Sequence, residues 1–106
     1  MTDAYHFHPS LLELVEIQAE SIVSRSLFED ETVKIIVFGF AAKQELSEHT
    51  SSRSAMIHII SGSAELTVGD DRYEVEANAW LQMSPRLPHS ILAKTDMIML
   101  LYMMKG

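Results

Sequence analysis

The amino-acid sequence predicts an all-β domain, built as a two-sheet sandwich or a small barrel. Short apolar runs are separated by turn residues at close intervals along the chain. In the clearest case, residues 63–76, apolar and polar side chains alternate on either side of a Gly-Asp-Asp turn, which is the pattern of a β-hairpin with one solvated face. Two other runs, "TVKIIVFGF" and "MIMLLYMM", are apolar at odd and even positions alike. This is expected for strands that are covered on both faces.

The chain is expected to form one domain that spans residues 1–106. Its 106 residues, 47% of them hydrophobic, suffice for one core and leave no room for a second. Residues 1–9 are expected to be a flexible N-terminal tail, which Pro9 separates from the rest of the chain. In the next segment, "LLELVEIQAESIV", apolar residues fall near helical spacing, so a helix competes there. The Ile and Val content of this segment and the strand-rich remainder of the chain favour strands.

The alternation also predicts which side chains face the core and which need another partner. Ala64, Leu66 and Val68 of the hairpin should face the interior together with Ile57 and Ile59 of the preceding run. The runs that are apolar at odd and even positions alike have a second apolar face, and the barrel interior cannot bury both faces. Seven methionines suit adaptable contact surfaces, and large apolar patches rarely stay exposed on monomers. We therefore predict a two-fold homodimer formed by outer sheet faces and the N-terminal strand.

Charge and composition exclude several classes of partner and site. The formal net charge is -7, and the 8 Lys and Arg residues are scattered, so no basic stripe could follow a phosphate backbone. Neither nucleic acid nor an anionic membrane is expected as a partner. The absence of cysteine excludes disulfides, a thiolate zinc site and a Cys nucleophile. With no signal-like N-terminus and no apolar run of spanning length, the expectation is a cytoplasmic protein.

A family resemblance rests on two motifs between residues 43 and 93. The segment resembles a cupin, whose first motif reads G-x5-H-x-H-x3,4-E-x6-G and whose second reads G-x5-P-x-G-x2-H-x3-N. The phrase "SPRLPHSI" is similar to the turn that precedes the histidine of the second motif. The resemblance implies a double-stranded β-helix, that is, an antiparallel two-sheet barrel of jelly-roll type.

The first motif is only partly present. Anchored on Gly62, it places its histidines at His49 and Ser51, its glutamate at Ala55 and its leading glycine at Lys43. In the family these side chains hold a metal in the barrel mouth. Ser51 offers a neutral hydroxyl and Ala55 a methyl group, so a nitrogen ligand and a carboxylate are both missing.

The second motif keeps its histidine and loses its glycines. Anchored on His89, it places its glycines at Asn78 and Arg86, its proline at Ser84, beside Pro85, and its asparagine at Ala93. Asn tolerates a left-handed backbone, so Asn78 can keep the turn that a glycine would make. At Arg86 either the turn is rebuilt or the side chain lies over the pocket mouth or in solvent.

The resemblance leaves His49 and His89 as the candidate site. They are the expected metal ligands, if a divalent Zn, Mn, Ni or Fe ion is bound, and the expected catalytic acid–base groups. Two imidazoles and water would then form an incomplete ligand set. Further pocket-lining residues are predicted at Ser51, Ala55, Ile57, Tyr102 and Arg86.

The remaining histidines are assigned to other surfaces. His58 has the opposite parity to Ala55 and Ile57, so it should face outwards or lie at an interface. His6 and His8 have chelate spacing, but they are expected to lie in the solvated tail.

Three classes of function are compatible with these residues. The first is a binding module that captures a small polar molecule between His49 and His89, with or without a weakly held metal. The second is an enzyme, either metal-dependent and similar to cupin dioxygenases, isomerases or decarboxylases, or metal-free and similar to cupin epimerases with a histidine base. The third is an interaction protein that uses its barrel as a scaffold. The fold alone does not choose between them.

Overall fold

A computed structural model of the chain describes residues 4–105. In this part of the chain a single 3₁₀ turn, Leu11–Glu13, precedes the strands. The strands are β1 (Ile22–Glu29), β2 (Val33–Phe40), β3 (Glu45–His49), β4 (Ala55–Ser61), β5 (Ser63–Val68), β6 (Asp71–Glu76), β7 (Trp80–Met83), β8 (His89–Ala93) and β9 (Met97–Met104). Among the described residues no helix is long and apolar enough to cross a membrane.

The strands form two antiparallel sheets that face each other. The five-stranded sheet has the order β1-β2-β9-β4-β7, and the four-stranded sheet has the order β3-β8-β5-β6. Strands that are consecutive in sequence therefore cross repeatedly from one sheet to the other, as in a jelly roll. The predicted all-β, two-sheet fold is confirmed.

The main core lies between the two sheets and contains the side chains that alternation predicted. Ile57, Ile59, Ala64 and Leu66 are each at most 4% exposed, and Val68 packs against the same cluster. The register aligns Leu66 of β5 with Ile91 of β8, so one face of this sheet supplies the core. The predicted inward set is confirmed.

A second apolar cluster lies on the outer face of the five-stranded sheet. Val37, Ile98 and Leu100 form it, and apolar side chains of the segment 11–17 pack over them. The prediction of strands throughout "LLELVEIQAESIV" is wrong before Ile22, because this segment covers a sheet face and does not pair with a strand edge. The doubly apolar character of β2 and β9 is thus explained in part by the chain's own N-terminal segment.

Glycine makes this cover possible at one position. Gly39 is buried in β2, and a Cβ atom there would lie 3.1 Å from a side-chain carbon of Val15 and 3.1 Å from one of Ile17. A larger residue would push the N-terminal segment away from the sheet. The segment and the sheet therefore fit each other closely.

The predicted N-terminal tail falls partly outside the described residues, which begin at Ala4. Within the described part, the ring of His6 lies edge-on to Phe28 of β1, with 4.9 Å between the ring centroids. His6 is exposed and His8 is half-buried. Residues 4–8 thus run beside β1.

The positions of the motif glycines retain a left-handed backbone even where the residue has changed. The φ angle is 74° at Lys43, 84° at Gly62, 81° at Asn78 and 67° at Arg86. A Cβ atom at Gly62 would come within 2.2 Å of the Asp96 carbonyl oxygen, so only glycine fits there. The other three positions have room for a side chain but carry backbone strain. The turn before His89 is therefore kept and not rebuilt.

Candidate functional site

His49 and His89 meet at one end of the barrel. β3 ends at His49, β8 begins at His89, and the two residues are register partners in the four-stranded sheet. Their ring centroids are 4.1 Å apart, with an angle of 63° between the ring planes. His89 is buried, with 6% of its surface exposed, whereas His49 is exposed. The pair thus has one ring in the barrel wall and one at its rim.

An irregularity in β3 gives His49 its direction. Leu46 pairs with Ile91 and His49 pairs with His89, so two residues of β3, Ser47 and Glu48, lie opposite one residue of β8, Ser90. This extra residue is a β-bulge, and it places Leu46 and His49 on the same face. Since Ile91 is buried in the core, that face is the inner one.

Hydrogen bonds fix the tautomer of both imidazoles. Nδ1 of His49 lies 2.9 Å from the carbonyl oxygen of Ser47, and Nδ1 of His89 lies 2.9 Å from that of Leu87. A carbonyl oxygen only accepts, so each Nδ1 carries the proton and donates it. In the neutral rings both Nε2 atoms therefore keep a lone pair. Metal-ligating histidines are commonly held by the same kind of Nδ1–H bond to a carbonyl.

Burial keeps His89 in its neutral form. Desolvation lowers the pKa of His89 below its ordinary value of 6.5, and the neighbouring His49 lowers it further, while the bond to the Leu87 carbonyl raises it. Desolvation is the largest of these effects because the charged ring loses water. At neutral pH the Nε2 atom of His89 can thus accept a hydrogen bond or act as a metal ligand.

Two loops border the histidine end of the barrel. Residues 50–54 follow β3 and residues 84–88 precede β8, and the backbone N–H of Arg86 donates to the Ser51 carbonyl oxygen over 2.7 Å. The Ser51 hydroxyl accepts a bond from the Arg53 N–H. Ser51 lies beyond the end of β3, so the alternation of a strand does not orient its side chain. Arg86 is exposed on the second loop.

The other predicted pocket residues divide between the two faces of the five-stranded sheet. Ala55 and Ile57 are buried on its inner face, at 3% and 1% exposure. Tyr102 pairs with Met56 and Ile35 and packs in the outer cluster. Its predicted place beside the histidine pair is therefore wrong: because β9 is apolar at both parities, its inward set could not be read from the sequence.

The outer face also carries His58. It pairs with Leu100 of the outer cluster and with Trp80 of β7. This is the orientation that its parity predicted.

Whether a metal ion fits this site depends on the side chains that could act as its ligands. Among residues 4–105 no group of three or more His, Cys, Asp or Glu side chains lies close enough to hold an ion. Imidazole nitrogen is a suitable ligand for a divalent ion, but a stable site ordinarily has at least three protein ligands. The residues present therefore do not fit the four-ligand metal site of the complete motif.

The sequence did not reveal a cavity of about 300 Å³ between β6 and β7. Of the predicted pocket residues, only Ile57 is among the described residues that line it. A signal was available, since Tyr73 and Val75 continue the inward alternation of the hairpin beyond its turn.

These features define a class of protein, an antiparallel two-sheet barrel with one histidine from each of two paired strands at its mouth. The cupin domain family matches residues 36–105, and the chain belongs to that family.

Solved structures agree with this assignment. A conserved protein of unknown function from Streptococcus pyogenes is 30% identical, with a TM-score of 0.85, over 100% of this chain and 91% of that one. An RmlC-like cupin protein from Desulfovibrio desulfuricans is 29% identical, with a TM-score of 0.84, over 95% of this chain and 98% of that one. Salicylate 1,2-dioxygenase from Pseudoaminobacter salicylatoxidans, at 12% identity and a TM-score of 0.75, shares the fold over 80% of this chain and 25% of its own length. No curated protein matches the chain.

Proposed function

We propose that this cupin domain binds a small polar molecule at the His49–His89 pair, either directly or through a weakly held divalent ion. The observation that carries the proposal is the paired geometry of the rings, 4.1 Å apart, with both Nδ1 atoms bonded to carbonyl oxygens. Both Nε2 lone pairs are left for a ligand.

The chemistry of the pair selects the kind of molecule. An imidazole Nε2 with a lone pair accepts a hydrogen bond, so hydroxyl, amide or ammonium groups are suitable donors on the ligand. A formal net charge of -7 disfavours the approach of polyanions. A neutral or weakly charged molecule with at least one donor group is therefore the favoured ligand.

A bound metal ion would add a second means of binding the small molecule at the same histidine pair. His49 and His89 would hold the ion through Nε2, and the ion would supply Lewis-acid attraction for an oxygen of the ligand. The Ser47 and Leu87 carbonyls would keep the rings oriented. With two protein ligands only, the ion should be lost to a mild chelator.

Catalysis is the second candidate function, and the lowered pKa of His89 favours it. Its lowered pKa keeps the ring neutral near pH 7, as a general base requires. The ring of His49 lies beside it, with 4.1 Å between the ring centroids. Chemical conversion of a bound molecule, and not only its binding, would identify this function.

Calorimetric titration tests the proposal directly. Wild-type protein, freed of metal with a chelator, is titrated with Zn(II), Mn(II), Ni(II) and Fe(II) and is then screened by thermal shift against small polyols, amides and acids. Weak metal binding or a small-molecule shift is expected, and His49→Ala and His89→Ala should each abolish it. His58→Ala is the matched control, because this histidine lies on the outer face. Tight binding that survives loss of either paired histidine would place the site elsewhere and refute the proposal.

A further inference from the structure

The cavity between β6 and β7 has the properties of a second binding site. It has a volume of about 300 Å³, and Glu74 is the only charged residue among the described residues that line it. The lining residues are Ile57, Ile59, Leu66, Tyr73, Glu74, Val75, Ala79, Trp80 and Leu81. We propose that it takes an uncharged aromatic or cyclic aliphatic molecule.

The position of the cavity is set by the topology. β6 is the last strand of one sheet and β7 the last strand of the other, so the barrel opens where these edges lie side by side. Leu66 faces Tyr73 across β5 and β6, and Ile57 faces Leu81 across β4 and β7. The inward-facing side chains of these four residues therefore contribute walls from both sheets.

The turn that joins β6 to β7 is fixed to the barrel. The Asn78 N–H donates to the Ile59 carbonyl oxygen, and the Ile59 N–H donates to the Ala79 carbonyl oxygen, each over 2.9 Å. Asn78 has a φ of 81°, which allows the sharp reversal. Because both bonds tie the turn to a core strand, the cavity is pre-formed and a guest would not have to order it.

Volume and charge limit the guest. An apolar cavity of roughly 150 Å³ binds benzene, so this cavity has room for a substituted ring. Glu74 is paired with Lys94, which lowers the pKa of its carboxyl group, so an ion pair and not a lone charge borders the opening. A charged guest would lose its hydration to an apolar wall without gaining a free counter-ion.

The ring of Tyr73 borders the opening. Tyr73 is the register partner of the core residue Leu66, lines the cavity and is 53% exposed. Trp80 also lines the cavity, but it is the register partner of the outward-facing His58 and is 64% exposed. An aromatic ring at the mouth of an apolar cavity offers offset or edge contacts to a ring that enters, which favours an aromatic or cyclic guest over a flexible chain.

Fluorescence gives a direct test, since Trp80 is the single tryptophan. Benzyl alcohol is titrated into the full chain with excitation of the tryptophan, and benzoate serves as the charged analogue. We expect saturable change with benzyl alcohol and at least about tenfold weaker binding of benzoate. Amide chemical shifts should change at Leu66, Val75 and Leu81. Absence of saturation, shifts spread over the surface, or equal binding of benzoate would each overturn the proposal.

Variants separate this site from its surroundings. Ala79→Leu fills the cavity and should weaken benzyl alcohol binding at least about tenfold. Ala77→Leu is the matched control, because Ala77 is exposed in the same turn and outside the lining. Val75→Phe fills the cavity from β6 and replaces Ala79→Leu if that variant does not fold. Unchanged binding in the folded cavity-filling variant, or equal loss in Ala77→Leu, would overturn the proposal.

The histidine variants make this test independent of the proposed function. His49→Ala and His89→Ala leave the cavity lining intact, so both should bind benzyl alcohol as the wild type does. Loss of binding in either variant would show that the cavity and the histidine pair are one site.

Discussion

His49 and His89 are register partners with different surroundings. His89 is 6% exposed and lies in the barrel wall, whereas His49 is exposed at the rim. The same residue type therefore carries two roles: the buried ring is held neutral by desolvation, and the outer ring is open to solvent and ligand. Protonation of the buried ring should therefore affect stability.

The buried ring predicts a loss of stability in acid. The pKa of His89 is lowered on folding, so below its unfolded value near 6.5 the unfolded chain binds more protons than the folded chain. The resulting loss in the free energy of unfolding is absent above the unfolded pKa and reaches its full size once the pH has fallen through the lowered pKa of the folded state. Urea denaturation in the presence of a chelator should show this decrease in the free energy of unfolding between neutral pH and pH 5.

The control for the acid effect is His89→Gln, which keeps a polar group without titrating. Its pH profile should be flatter than that of the wild type over the same range. If the two profiles run in parallel, titration of His89 is not the cause.

Arg86 shows a second effect at the residue scale. Its φ of 67° lies in the left-handed region, where an L-residue other than glycine costs about 1–2 kcal/mol. Pro85 precedes it, and proline followed by a residue with positive φ is the pattern of a type II turn. The Arg86 N–H also donates to the Ser51 carbonyl oxygen, which fixes this conformation.

Replacing this arginine should relieve the strain. Arg86→Gly is expected to raise the free energy of unfolding by about 0.5–1 kcal/mol, since the relief exceeds the added backbone entropy of glycine in the unfolded chain. Asn78→Gly should change it less, because Asn tolerates this conformation. Urea denaturation gives both values. A lower free energy of unfolding in Arg86→Gly would show that the arginine side chain stabilises the fold by more than its backbone strain costs.

At the element scale, β3 shows how far strand alternation carries a prediction. Counting by two from Leu46 would turn His49 outwards, and the bulge between these residues turns it inwards. The motif resemblance, anchored on Gly62, predicted His49 at the barrel mouth without reference to Leu46. Bulges depend on pairing with another strand, so one strand's sequence does not reveal them.

The outer face of the five-stranded sheet shows where the sequence was insufficient. The two parities of β9 are equally apolar, so its sequence could not separate Tyr102 on the outer face from Leu101 beside the core. β4 was predictable, because His58 marks its outer side clearly. The cover supplied by segment 11–17 has no regular hydrogen-bond ladder and hence no period to detect.

This covering segment predicts an effect of substitution in β2. Gly39→Ala would place a methyl group 3.1 Å from both Val15 and Ile17, so the segment must move outwards. A loss of about 1–3 kcal/mol in the free energy of unfolding is expected from such overpacking. Urea denaturation measures it.

A double variant identifies the cause of that loss. Adding Ile17→Ala to Gly39→Ala makes room for the new methyl group, so the two losses should sum to more than the loss of the double variant. Strict additivity would show that the N-terminal segment does not press on β2 at this position.

For the whole molecule, the histidine pair and the cavity have different chemistry. The histidine pair lies where loops 50–54 and 84–88 meet, and the apolar cavity opens between β6 and β7. Both depend on the same two-sheet frame, but Ile57 is the only predicted site residue among those described that borders the cavity. Ligands at the two places can therefore be distinguished by mutation.

The prediction of a homodimer rests on the outer surface. Segment 11–17 covers Val37, Ile98 and Leu100, while Met56 and Tyr102 lie beside each other on the same face, each half-buried. Nearer the N-terminus Tyr5, Phe7 and Leu12 are 79%, 76% and 53% exposed. Apolar area of this kind favours a partner, and a second copy of the chain is the partner that symmetry makes simplest.

We therefore predict a homodimer that uses the outer face of the five-stranded sheet. Light scattering at micromolar concentration should give twice the mass of the chain, and Met56→Glu should shift the mass towards the monomer because it buries a charge in the interface. Thr67→Glu is the matched control, since it adds the same charge to the outer face of the other sheet, opposite Arg72 and Ser90. A monomeric wild type would refute the dimer, and equal dissociation by both variants would place its interface elsewhere.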